Sequence, residues 1–129
     1  MIKEHKELLL KDLSARYPYG VYFSVNGECH KLTSISIDLH CPNKHYWING
    51  LYDISKVKPY LRSMESMTEE EYEEYSKLWN LQDEFPTDAD IRFKTDVFDW
   101  LNAHHFDYRG LIEKGLAIEV AKENNPYKE

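Results

Sequence analysis

An Asn26-Gly27 pair stands between two runs rich in β-formers, and few dipeptides restrict a chain more. The two-residue turn that matches the twist of paired strands needs positive φ at both central positions, which Asn and Gly adopt at least cost. The pair predicts an antiparallel hairpin, with one strand over residues 21–25 and a returning strand from residue 28 to about 39. Along the return, Ile35, Ile37 and Leu39 alternate with Ser34, Ser36 and Asp38, which predicts one buried and one wet face. His40-Cys41-Pro42-Asn43-Lys44 reads as a loop, and Tyr46-Trp47-Ile48 before Asn49-Gly50 as a further short strand and turn. Residues 53–62 are ambiguous, because Pro59 argues against a long central strand there.

Helical patterns flank this β-rich middle. Ile2, the stem of Lys6, Leu9, Leu10, Leu13 and Tyr17 share one face of a helix over residues 3–16, which Pro18 ends. Thr68-Glu69-Glu70-Glu71 is a capping box, with Met67 and Tyr72 placed as a hydrophobic staple. Tyr72, Tyr75, Leu78 and Trp79 are the expected apolar stripe of the helix that follows, ending near residue 82. A polar loop over 82–90 leads to a third helix, capped by Thr95, that carries Val97, Phe98, Trp100 and Leu101 inward. Asp107 is placed to cap one more short helix over 108–114, closed by Gly115. Residues 116–120 suggest a last short strand, and a polar, loose tail is expected from about 122. The whole predicts one α+β domain over 1–129, with an N-terminal helix, an antiparallel hairpin or meander sheet in the middle, and C-terminal helices packed on one side.

Charge and composition narrow the function classes. The formal net charge of −7 argues against a nucleic-acid backbone as partner and favours a protein with a basic or aromatic-accepting surface. Ten tyrosines and three tryptophans supply side chains suited to cores and interfaces alike. No apolar run is long enough to span a bilayer and no signal peptide is visible, so a cytoplasmic setting without membrane attachment is expected. Two cysteines in such a chain read as reduced thiols.

Three stretches carry a resemblance: L-L-L-K-D-L-S-A-R-Y-P-Y-G-V (8–21), K-P-Y-L-R-S-M-E-S-M-T-E-E-E (58–71) and D-W-L-N-A-H-H-F-D-Y-R-G-L-I-E-K-G-L-A-I-E (99–119). Together they resemble a group of small uncharacterised proteins of gut-bacterial genomes and prophages. That group has no established activity, so the resemblance implies a bacterial or mobile-element setting and transfers no catalytic residue.

Chemistry-bearing clusters are sparse. Cys29, His30, His40, Cys41 and His45 invite a metal reading, but adjacent pairs on a strand point apart and no C-x-x-C completes a ligand set. The chain has no P-loop, dinucleotide, zincin or hydrolase-elbow motif, and no cofactor is implied. The acid run 69–74, continued by Asp83, Glu84, Asp88 and Asp90, reads as a solvated helix face or as a mimic of nucleic-acid phosphates. The densest polar segment is His104-His105-Phe106-Asp107-Tyr108-Arg109-Gly110. Phe106 is expected in the core and Asp107 at a cap, leaving His104, His105, Tyr108 and Arg109 to face outward as binding residues. The leading expectation is a non-enzymatic protein-interaction domain of adaptor or inhibitor type. The alternative is a small-ligand or hydrolytic site over 104–109, with a histidine base oriented by Asp107 and Arg109 as anion clamp.

Overall fold

The computed structural model describes residues 2–38, 45–80 and 88–127. Among the described residues, three α-helices, α1 (Lys3–Arg16), α2 (Glu69–Asn80) and α3 (Asp88–Ala103), accompany eight short strands. Strands β1 (Tyr22–Val25), β2 (Glu28–Lys31), β6 (Lys58–Ser63) and β7 (Phe106–Asp107) lie in the order β2-β1-β6-β7, and β8 (Ile118–Glu119) also pairs with β6. A separate meander holds β3 (Ile35–Asp38), β4 (His45–Ile48) and β5 (Tyr52–Asp53). The fold is α+β, as the sequence predicts. Its central pairings are antiparallel, and the two short strands after α3 add to β6 in parallel.

The hairpin turn forms where expected, with φ of 52° at Asn26 and 80° at Gly27. The returning strand does not run unbroken to 39, because Asn49 interrupts it. The Asn49 side-chain oxygen accepts from Thr33 N at 2.7 Å and Ser34 N at 3.3 Å, and its amide donates to the Lys31 carbonyl at 2.8 Å. With those groups taken by one side chain, β2 and β3 part and join different sheets. Ile35 packs on the core, but Ile37, two residues on in the same strand, is 50% exposed. The expected loop over 40–44 lies outside the described residues.

Pro59 does stand in a central strand. It occupies the second position of β6, opposite Phe23, and the parallel ladder with β8 starts only at Tyr60. A residue without an N–H is tolerated at such a strand start.

Helix α1 has the predicted bounds, and Leu9 and Leu13 are fully buried with Asp12 and Arg16. These four sit at i, i+3, i+4 and i+7, so the buried stripe is helical in period but includes two charges. Ile2 and Tyr17, expected on that face, are exposed. Helix α3 starts at Asp88 and runs through Thr95 rather than beginning there. A threonine inside a helix costs only a fraction of a kcal/mol, ~0.5, so it does not set a boundary. Within α3, Val97 and Leu101 are buried whereas Phe98 turns outward.

Residues 108–115 form turns rather than the expected helix. They still end as a helix would: Gly115 N donates to the Ile112 carbonyl and Leu116 N to the Leu111 carbonyl, with Gly115 at φ 73°. The segment beyond 122 is not loose throughout, since Tyr127 is half-buried and bonded to two strands. Two apolar clusters result among the described residues. One gathers α1, β1, β6 and the meander around Leu9, Leu13, Phe23, Ile48 and Leu61, and the other sets Val97 and Leu101 of α3 on Phe106.

Candidate functional site

The segment singled out by sequence is pulled apart by the fold. His104 stacks on Trp100 with ring centroids 4.2 Å apart, and its Nδ1 lies 2.9 Å from the Trp100 carbonyl oxygen. His105, at φ 64°, turns the other way and stacks on Tyr127 at 3.6 Å. Burial, with the charges of Arg16, Arg62 and His104 adding to it, holds the His105 imidazole down to about 4, so it is neutral at pH 7. Phe106 is buried between Trp100 and the Arg62 guanidinium, whose central carbon lies 4.3 Å from the ring centroid.

Asp107 spends its carboxylate on backbone. Oδ1 accepts from Leu111 N at 3.0 Å and Oδ2 from Ile112 N at 2.9 Å. It therefore holds the 108–115 turn and orients neither imidazole. Tyr108 donates its hydroxyl to Asn102 Oδ1 at 2.9 Å, and Arg109 lies over the Tyr108 ring at 4.7 Å. Arg109 also reaches Asp12 Oδ1 at 3.4 Å, and its side chain is only 17% exposed. Tyr108 and Arg109 thus line a groove of about 630 Å³ with Lys11, Phe98, Asp99 and Asn102, while the two histidines lie elsewhere.

Beneath that groove lies a buried ion pair between two residues outside the apolar face read from the sequence. Arg16 Nε donates to Asp12 Oδ2 at 2.8 Å, and Arg16 Nη2 donates to the Phe106 carbonyl at 2.6 Å, with both side chains fully buried. Burial pushes the Asp12 carboxyl above its ordinary range, against the pull of Arg16 and Arg109. The signal was present: residues 12 and 16 share the phase of Leu9 and Leu13. Charged side chains are seldom fully buried unless paired, so an apolar pattern by itself does not include them.

A second groove, of about 540 Å³, lies where the turn after β6 meets the start of α2. Met64, Met67 and Tyr72 supply its apolar surface, and Glu65, Glu69 and Glu73 its charge. The capping box fixes its geometry. Glu71 N donates to Thr68 Oγ1 at 3.2 Å, and Thr68 N donates to Glu71 Oε1 at 3.0 Å. Both Arg62 end nitrogens clamp the same carboxylate at 2.7 and 2.8 Å, and those bonds hold Glu71 at about 2, well below the usual range. Tyr72 is 62% exposed. The staple and the apolar stripe expected from the sequence would turn it inward. Tyr75 and Leu78 take the inward positions instead, so Tyr72 stands free over the methionines.

Among the described residues no three His, Cys, Asp or Glu side chains gather as a metal set. Cys29 is exposed, and His40 and Cys41 lie outside the described residues. No helix among the described residues is long and apolar enough to cross a membrane. Comparison of the chain with protein-family models, curated proteins and solved structures finds no match.

Proposed function

We propose that this protein is a non-enzymatic interaction domain that takes a basic, apolar-anchored segment of a partner protein into the groove at the start of α2. The observation that carries the reading is the exposed Tyr72 ring beside Met64 and Met67, with Glu65, Glu69 and Glu73 among the lining residues and no cation among them. Tyrosine and methionine are enriched in interface cores, and methionine adapts to varied apolar side chains. The carboxylates favour lysine or arginine neighbours on the incoming segment and speed its approach. The clamp of Arg62 on Glu71 holds the groove in shape before binding, which lowers the ordering cost. The bacterial or prophage setting implied by the resemblance indicates where a natural partner would be sought.

The alternative, a small-ligand or hydrolytic site over 104–109, has less support. Asp107 is engaged by two backbone N–H groups and Arg109 by Asp12, and His104 and His105 face different neighbours.

Calorimetry with a synthetic amphipathic Lys/Leu peptide tests the proposal, with the Glu/Leu counterpart as control. Binding of the basic peptide should weaken as salt rises, and Tyr72→Ala should reduce it by about tenfold, the scale of an interface aromatic. Equal binding by Tyr72→Ala, or by the Glu/Leu peptide, would overturn the reading.

A further inference from the structure

One tyrosine from beyond β8 completes the central sheet. The β1–β6 register pairs Ser24 with Lys58 and Phe23 with Pro59, so its next rung would set Tyr22 opposite Tyr60. At that point the Tyr127 hydroxyl stands in the rung: it accepts from Tyr22 N at 3.0 Å and donates to the Tyr60 carbonyl at 2.8 Å. Its ring meets Tyr22 edge-on at 5.5 Å and lies flat on His105 at 3.6 Å, the planes only 10° apart. Short local bonds shape the segment, from Ala121 N to Asn124 Oδ1 and from Tyr127 N to Asn125 Oδ1.

We propose that residues 121–127 are a pH-releasable strap, held while His105 is neutral and released when it is protonated. Among the described residues, the charged groups that act on the imidazole oppose a second proton on it. Arg16 approaches from α1 and Arg62 from β6, with His104 beside it in the chain and the Tyr127 phenol on its face. The carboxylates near those guanidiniums are engaged, Asp12 by Arg16 and Arg109 and Glu71 by Arg62. His105 Nδ1 is buried and has no hydrogen-bond partner among the described residues. A neutral ring leaves that nitrogen as an unused acceptor, whereas an imidazolium would bury an unpaired donor there. The imidazolium gains some attraction from the Tyr127 face, but two guanidiniums and an orphan N–H outweigh that one cation–π contact.

The direction in pH follows. The unfolded or released histidine takes a proton near its ordinary 6.5, the held one only near 4. The strap's hold is complete above the first value and is lost as pH falls from there toward the second. Release exposes the Tyr22 N–H and the Tyr60 carbonyl.

NMR on the full chain between about pH 7.5 and 3.5 spans this window. The His105 ring should titrate well below its ordinary value, with the Tyr127 ring signals moving in step. The opening constant read from Tyr22 amide exchange, corrected for intrinsic rate, should rise by up to about tenfold per pH unit. Amides of α1 should stay protected. His105→Asn, which cannot titrate and suits positive φ, should abolish the pH dependence. Tyr127→Phe, which keeps the ring stack, should weaken Tyr22 protection at every pH. Titration of His105 at about 6.5 without a Tyr127 response would overturn the proposal. So would pH dependence unchanged in His105→Asn, Tyr22 protection unchanged in Tyr127→Phe, or loss of α1 protection together with Tyr22.

Discussion

Arg16 shows how one side chain can hold distant parts of a chain. From α1 it pairs with Asp12 four residues back and with the Phe106 carbonyl 90 residues ahead. Two opposite charges buried together cost several kcal/mol of desolvation each, and good geometry roughly offsets that cost. Removing one partner leaves the other charged and buried. Arg16→Ala is therefore expected to destabilise by about 3–5 kcal/mol in denaturant titration, whereas Asp12→Leu combined with Arg16→Met should recover most of the loss. A double variant no more stable than Arg16→Ala would show that the Phe106 carbonyl bond matters more than the charges. Phe106→Ala should cost about 3–5 kcal/mol, since its ring is fully buried among Val97, Leu101 and Trp100. Arg109→Ala should cost about 1 kcal/mol, more than a free surface arginine, because it faces the buried Asp12.

At the scale of elements, turns and caps are decided by short-range chemistry. Thr68→Ala removes a hydroxyl that accepts from Glu71 N, and a loss of about 1 kcal/mol is expected from the unfolding midpoint. Glu71 adds a pH signature. Its folded carboxyl is held near 2 by Arg62, so its contribution is present above the ordinary 4.5 and is lost as pH falls from there toward 2. Glu71→Gln should flatten that part of the acid-unfolding curve; an unchanged curve would mean the Arg62 clamp is not maintained in solution. Gly27→Val should cost about 1–2 kcal/mol from backbone conformation alone, since the turn holds φ at 80° and no neighbour lies within 4 Å of a Cβ there. Thermal unfolding of the variant checks it.

Across the whole molecule, the two apolar clusters meet at β6. Leu61 belongs to the cluster under α1, while the next residue, Arg62, lies over Phe106 in the other. Arg16 ties the same two regions through the Phe106 carbonyl. Shared elements of this kind make separate unfolding of either cluster expensive, so a single cooperative transition is expected. Fluorescence of a Trp47→Phe, Trp79→Phe variant, which leaves Trp100 of the second cluster as the emitting indole, and far-ultraviolet circular dichroism should give coincident denaturant curves. Curves that part would show that α2 and α3 unfold apart from the sheet.

Features that depend on near neighbours along the chain were legible before any tertiary contact was known. The bounds of α1, the Asn26-Gly27 turn, the Thr68 capping box and the Gly115 closure all follow from propensity, φ preference or bonds within six residues. Tertiary structure alone decided the rest, because those features turn on partners far away in the chain. Asn49 broke the predicted long strand by binding backbone 15 to 18 residues earlier. Pro59 became central because its ladder with β8 starts one residue later. Asp12 and Arg16 went inside because they had each other and a carbonyl 90 residues on. Of the candidate binding residues, Tyr108 and Arg109 share a groove and His104 and His105 do not, since Trp100 and Tyr127 hold the two imidazoles apart. Tyr72 illustrates the same limit: helical period places it near the apolar stripe, but only the packing of Tyr75 and Leu78 leaves it facing solvent. Local chemistry fixes which elements form; which side chains they bury is settled by what the opposing surface offers.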